Sequence, residues 1–170
     1  MPQDLPPTKA TVLISGEGSN LQALIDAAPL MPHLTIVRVI SNKAGANGLN
    51  RAKAVSIPTA YHNLISGKYY AVGEKDPAVK AAAREKYDAD LAKKVLADEP
   101  DILTIAEHYV ISEVDRGDPI VIRKIQCQTP ETLDELKTRI HSQEHELILE
   151  GTQLAISDLW KKRSKSEELS

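Results

Sequence analysis

Two patterns alternate along the first two-thirds of the chain. Ala10-Thr11-Val12-Leu13-Ile14 is a short, β-branched apolar run, and Leu21 to Ala28 repeats its apolar positions at helical spacing. The first predicts a buried strand and the second an amphipathic helix. Leu34 to Ile40 is a second β-branched run, followed by a helix candidate from about Asn47 to Val55. Ile57 to Tyr61 predicts a short strand whose Pro58 suits an edge or a strand start. A polar loop through Gly67, Tyr69, Tyr70 and Gly73 leads to Asp76-Pro77, an N-cap and first-position proline opening a long helix. Val79, Ala83, Tyr87, Leu91 and Val95 share one face of it, and it stops near Glu99-Pro100, because a proline disfavours a helical residue before it. Asp101 to Ala106 reads as the next buried strand. This order predicts an α/β protein with a doubly wound, mostly parallel sheet, in which ligands bind beyond the carboxyl ends of the strands.

The alternation then breaks. After Ala106 and Glu107 comes another strand-like run, His108 to Ile111. Neighbouring parallel strands need a crossover of about a dozen residues. A hairpin would want glycine, asparagine or proline at the turn, and Thr104 to Tyr109 has none. Either Ile102 to Ile111 is one long strand or a crossover unit is missing near Ala106–Glu107. Turn-like residues from Ser112 to Pro119 follow, then a strand candidate from Ile120 to Cys127 and a second long helix opened by Thr129-Pro130-Glu131. Domain boundaries follow from these patterns: a disordered proline-rich segment over 1–9, one domain over 10–160, and a charged, serine-rich tail over 161–170 that frays.

Between the first strand and helix lies Ser15-Gly16-Glu17-Gly18-Ser19-Asn20. A helix N-terminus offers unpaired N–H groups and a positive dipole end, and glycines let backbone approach a ligand closely. Ser19 and Gln22 have capping-box spacing. Gly18, Ser19 and Asn20 are therefore either an anion cradle or a tight turn without a ligand. The dinucleotide fingerprint would place a third glycine at Leu21, which argues against a dehydrogenase.

Composition narrows the partners. The 170 residues suit one domain, 42% apolar and 26% charged content are ordinary for a soluble protein, and a net charge of −3 argues against a general nucleic-acid or membrane surface. The single cysteine, Cys127, excludes an internal disulfide and reads as a small core residue. No apolar run is long enough to span a membrane, so a cytoplasmic protein is the expectation. On the second long helix, Leu133, Leu136, Ile140, Glu144 and Leu147 fall on roughly one face, so Glu144 is either at a rim or in a site. His141-Ser142-Gln143-Glu144-His145 matches a zinc-peptidase spacing, but few residues follow to supply a third ligand, and no metal is expected. Asp115 is either a turn aspartate or a carboxylate that tunes a histidine. His33 and His62 are expected at the surface.

Several segments together resemble the phosphoribosylglycinamide formyltransferases. They are Ile14 to Ala23, Ser41-Asn42-Lys43-Ala44, Gly48-Leu49, Arg51-Ala52, Arg84 to Asp88, Pro100-Asp101, His108-Tyr109-Val110 with Glu113-Val114-Asp115, and Gln143-Glu144-His145. The tyrosine-rich loop and Asp115 to Pro119 resemble fungal members. The resemblance implies a formyltransferase-type Rossmann-like fold and transfer of a formyl group from 10-formyltetrahydrofolate, as co-substrate, to glycinamide ribonucleotide in purine biosynthesis. It implies that Gly18, Ser19 and Asn20 hold the substrate phosphate, that Arg84 belongs to the formylfolate site, that Asp115 raises the pKa of a catalytic histidine, and that Glu144 contacts substrate. The family glutamine one turn before Glu144 is His141 here. The family's Asn-x-His-Pro-Ser motif and the folate-binding segment before it have no match in this sequence, and both would fall at Ala106–Glu107. His108 matches a later strand residue, not the catalytic histidine. The expectation is a shortened enzyme of impaired activity. Its alternatives are a non-catalytic ribonucleotide-binding or partner-binding isoform, or a fragment without a stable fold.

Overall fold

The computed structural model describes residues 6–31, 33–104, 120–121, 130 and 132–167. Four strands form one parallel sheet in the order β3-β2-β1-β4: β1 Thr8–Ile14, β2 Leu34–Ser41, β3 Thr59–Tyr61 and β4 Ile102–Thr104. Helix α1 (Ser19–Ala27) links β1 to β2, α2 (Asn47–Ala54) links β2 to β3, and α3 (Pro77–Leu96) crosses to β4. Helix α4 (Leu133–Glu167) closes the fold. The doubly wound parallel sheet expected from the sequence is therefore present, and its order reverses between β1 and β4.

Side-chain alternation along β1 sets the layers. Val12 packs with Leu21 and Leu24 of α1, Leu49 and Ala52 of α2, and Ile148 of α4. Ala10, on the same face, packs with Met31, Leu34, Ile156 and Trp160. Thr11 points the other way, and its hydroxyl donates to the Val95 carbonyl of α3 at 3.3 Å. Helices α1, α2 and α4 thus cover one face and α3 the other. A register shift between Ala10 and Thr11 lets β1 pair on past Val37 of β2.

Several boundaries differ from the sequence expectation, each for a nameable reason. The ordered chain begins before residue 10. Thr8 is fully buried, its N–H donates to the His33 carbonyl, and its hydroxyl accepts from Trp160 Nε1 at 2.9 Å. Helix α4 continues past Lys161 to Glu167, and Arg163 makes an ion pair with Asp101, whose other oxygen accepts from the Lys9 N–H at 2.8 Å. The second long helix starts at Leu133. Its capping box is Thr132 with Glu135, in which Thr132 N donates to Glu135 Oε2 at 2.8 Å and Glu135 N to Thr132 Oγ1 at 3.3 Å. Helix α3 begins as expected, with the Asp76 carboxylate accepting from Ala78 N at 2.8 Å. The Ala106–Glu107 junction, His108, Asp115, Cys127 and most of the strand expected over 120–127 lie outside the described residues.

Candidate functional site

The site forms where the sheet order reverses. Helix α1 leaves β1 on one face while α3 reaches β4 from the other, and a cavity of about 250 Å³ opens at the carboxyl ends of these two strands. Ser15 to Asn20, Thr104 at the end of β4 and Ile148 of α4 are among its walls. Gly18, Ser19 and Asn20 are thus brought together on one wall.

The loop's shape follows from two glycines. Gly18 caps α1 in the left-handed region at φ 70°. A Cβ there would stand 2.6 Å from the Gly48 Cα, and a Cβ on Gly48 would stand 2.5 Å from Ile14 Cδ1. The backbones of the loop and of α2 therefore touch, with Gly48 N donating to the Gly16 carbonyl at 3.2 Å. Helix α2 also grips the loop through side chains. Arg51 Nε donates to the Glu17 carbonyl at 2.9 Å, Arg51 Nη1 to Gln22 Oε1 at 3.1 Å, and Asn47 Nδ2 to Glu17 Oε2 at 3.2 Å. The expected Ser19–Gln22 capping box is absent, because Gly18 takes the cap position and Gln22 is held by Arg51 and Asp26 instead.

The first helical hydrogen bond runs from Gln22 N to the Gly18 carbonyl at 2.9 Å. The N–H groups of Ser19, Asn20 and Leu21 thus have no acceptor within the helix, and they sit at the positive end of its dipole. Asn20 Oδ1 is buried with no hydrogen-bond partner among the described residues. Glu17 is the one charged residue among the described lining residues. With no lysine or arginine among the described lining residues, any compact anion here would be held by backbone N–H groups and the dipole of α1, against the charge of Glu17.

Arg84 and Glu144, also expected in the site, are not part of this wall, and Asp115 lies outside the described residues. Arg84 is exposed on α3, paired with Asp88 at 3.0 Å, and its guanidinium lies 5.2 Å from the Tyr87 ring centre. Glu144 is on the exposed side of α4. The buried stripe of that helix runs through Ile148, Thr152, Ile156 and Trp160, which places His145 rather than Glu144 on the inner side. His145 Nε2 is the second buried polar atom without a partner among the described residues, a feature the sequence pattern did not flag.

A second cavity, also about 250 Å³, lies on the α3 face of the sheet against Leu13, Ser15, Asn42, His62 and Tyr87. His62 is buried, not at the surface as expected. Its Nε2 donates to the Tyr87 carbonyl at 2.9 Å, which leaves Nδ1 to accept from Lys94 Nζ at 3.2 Å. It stacks on Tyr87 with ring centres 4.2 Å apart, and burial pushes the Tyr87 hydroxyl above its ordinary range. His33 is also drawn inward, its ring 4.6 Å from that of Trp160. Among the described residues, no group of three or more His, Cys, Asp or Glu side chains comes together to hold a metal, and no helix is long and apolar enough to cross a membrane.

The chain has counterparts among known proteins. The family model described as formyl transferase matches residues 8–108. The phosphoribosylglycinamide formyltransferase of Saccharomyces cerevisiae is 32% identical, with 90% of this chain and 99% of the yeast protein covered. That match spans 213 aligned residues, more than the 170 of this chain, so the yeast protein carries an internal stretch with no counterpart here. The Schizosaccharomyces pombe enzyme of the same name is 27% identical over 86% of this chain and 96% of its own. Among solved structures, the phosphoribosylglycinamide formyltransferase of Coxiella burnetii superposes with a TM-score of 0.67 at 25% identity, covering 88% of this chain and 86% of the other. The chain belongs to the formyl transferase family and is a homologue of the phosphoribosylglycinamide formyltransferases of purine biosynthesis.

Proposed function

We propose that this chain is a shortened phosphoribosylglycinamide formyltransferase homologue that binds glycinamide ribonucleotide and turns it over poorly or not at all. The observation that carries the binding half is the cavity at the β1–β4 reversal, where the N–H groups of Ser19, Asn20 and Leu21 have no acceptor within α1. A phosphate monoester satisfies those donors and the dipole together. In this reading Gly18, Ser19 and Asn20 hold the phosphate and Arg84 offers its guanidinium to 10-formyltetrahydrofolate, while Glu144 faces outward from α4 and is assigned no substrate contact. Residues 8–167 act as one cytoplasmic domain that engages neither nucleic acid nor membrane.

The turnover half rests on chemistry. Formyl transfer requires the substrate amine to attack the formyl carbon, donors to meet the oxyanion that develops, and a histidine–carboxylate pair to manage the proton. Asp115 would be the carboxylate. The asparagine and histidine of the family's Asn-x-His-Pro-Ser motif have no match in this chain, and the aligned yeast protein has the additional length to hold them. Loss of the proton-transfer group costs about 10²–10⁴-fold and loss of an oxyanion donor about 10²–10³-fold.

Calorimetry with glycinamide ribonucleotide, run beside a formyl-transfer assay with 10-formyltetrahydrofolate, tests both halves. Binding without turnover is expected. Turnover at the rate of a full-length homologue would refute the loss of catalysis, and absence of binding by a cooperatively folded chain would refute the site.

A further inference from the structure

We propose that Glu17 is a specificity-determining residue of the glycine-loop cavity: its carboxylate limits the negative charge that the loop accepts, so that a single phosphate group is taken and a pyrophosphate is rejected. The inference rests on the reading of the cavity as a phosphate site and concerns the selection made there. The first observation is the charge balance. Glu17 is exposed and is the one charged residue among the described residues that line the cavity. Between Lys9 and Arg38 the chain carries no lysine or arginine, so the end of β1, the loop and α1 bring no cation to it. Glycine loops that hold several phosphate groups supply a lysine for the added charge, and this one supplies a carboxylate.

The second observation is that this charge is held in place and left whole. The backbone on both sides of Glu17 is tied to α2: Gly48 N donates to the Gly16 carbonyl at 3.2 Å, and Gly18 has no room for a Cβ against Gly48. The Glu17 carbonyl accepts from Arg51 Nε at 2.9 Å, and its Oε2 accepts from Asn47 Nδ2 at 3.2 Å. The carboxylate is thus bonded to a neutral amide, at the first residue of α2, an end of a helix that attracts negative charge. Arg51 offsets part of the charge from behind. Its bonds go to the Glu17 carbonyl and to Gln22 Oε1, and it is not among the described residues that line the cavity.

Donors and charge then set the limit together. The N–H groups of Ser19, Asn20 and Leu21 match the terminal oxygens of one phosphate group, and the positive end of α1 carries only about half an elementary charge. A second phosphate group adds negative charge and finds no further donor on this wall. Repulsion from Glu17 grows in proportion to the charge of the ligand, whereas the attraction is already spent. The loop therefore discriminates between anions through an unfavourable contact, a common route to specificity.

The test measures inorganic phosphate and pyrophosphate by calorimetry, directly and in competition with glycinamide ribonucleotide, without divalent cations. It uses the wild-type chain, Glu17→Gln and Glu17→Lys, with thermal melting to confirm that each is folded. Glu17→Gln removes the charge and keeps an oxygen for Asn47 Nδ2. It is expected to bind phosphate about 3- to 10-fold and pyrophosphate about 10- to 50-fold more tightly than the wild type, with both gains shrinking in about 1 M salt. Glu17→Lys is expected to reverse the preference, so that pyrophosphate binds more tightly than phosphate. A wild type that binds pyrophosphate as tightly as phosphate, a Glu17→Gln gain that is absent or equal for the two ligands, or a gain undiminished by salt overturns the selection by charge while the phosphate site stands. A folded wild-type protein that binds neither phosphate nor glycinamide ribonucleotide overturns the site and this role with it.

Discussion

Two histidines lie on opposite faces of the sheet, one buried whole and the other with one buried ring nitrogen, and they differ in how their hydrogen bonds are spent. His62, on the α3 face, has both ring nitrogens committed, one to the Tyr87 carbonyl and one to Lys94. His145, on the α1 and α4 face, has a buried Nε2 with no partner among the described residues. The first belongs to a closed network that includes a stacked Tyr87 and an edge-on Tyr69. The second shares its face of the sheet with the glycine-loop cavity, where Asn20 Oδ1 and three backbone N–H groups are also unspent among the described residues. Burial of a histidine therefore says little by itself. What distinguishes a structural role from a binding one is whether its hydrogen bonds are already made, because an unmade buried bond costs stability that only a ligand returns.

The largest effect is expected where the loop and α2 touch. Gly18→Ala places a Cβ against the Gly48 backbone and forces a non-glycine residue to φ 70°. Stability should fall by about 2–4 kcal/mol, the sum of left-handed strain and a backbone clash. Chemical denaturation measures the first effect, and ribonucleotide binding should be lost in the folded fraction. A variant that keeps both stability and affinity would mean that the loop does not depend on this close approach.

His62→Phe comes next and challenges the comparison directly. It removes the hydrogen bonds of His62 to the Tyr87 carbonyl and Lys94, while Lys94 keeps the Tyr61 carbonyl, at a cost of about 1–2 kcal/mol. Ribonucleotide affinity should not change. If calorimetry shows weakened binding at full occupancy of the folded state, the two faces of the sheet are not separate, and the network around His62 is part of the site.

Arg51 is the intermediate case, since its bonds are satisfied but it holds the loop that is not. Arg51→Ala frees the Glu17 carbonyl and Gln22, which should cost about 1 kcal/mol and lower affinity several-fold through a loosened loop. Arg51→Lys should recover less than half of the affinity loss, because an ammonium cannot bridge both acceptors in the planar geometry of a guanidinium. Full recovery with lysine would show that only the charge matters.

Legibility in the sequence divides along a related line. The strand–glycine–helix order is local, so the loop could be read from Ala10 to Ala28 alone. The parallel sheet followed from the repeated βα alternation. The caps were less legible: Ser19-x-x-Gln22 and Thr132-x-x-Glu135 have the same spacing, yet only the second forms, because Arg51 reaches Gln22 from 29 residues away. Glu144 and His145 show the same limit. Leucines and isoleucines in the first turns of α4 put Glu144 on the apolar face, but the buried stripe is fixed by Ile148, Ile156 and Trp160 packing along β1, about 100° round the helix. The amino-terminal boundary moved to Thr8 for a similar reason, since its partner Trp160 is 152 residues distant.

The smallest expected effect is at an ion pair outside the cavity lining, between Arg38 of β2 and Asp98 just before β4. Arg38 bonds Asp98 through Nε at 2.5 Å and Nη2 at 3.2 Å, and both side chains are partly exposed. The hydrogen bond from Arg38 holds the Asp98 carboxyl below its usual range. A carboxyl depressed by folding adds stability above its unfolded pKa, about 3.9, and loses it as pH falls through the lower folded value. Asp98→Asn should therefore destabilise by up to about 1 kcal/mol near neutral pH, with the difference from wild type lost as pH falls through the lowered folded value. Urea denaturation across that range measures it. Because both partners are already paired, ribonucleotide affinity should be the same in the two proteins. A loss of binding in Asp98→Asn would mean that paired groups outside the cavity still act on the unpaired ones that line it, and the contrast between spent and unspent hydrogen bonds would lose its meaning.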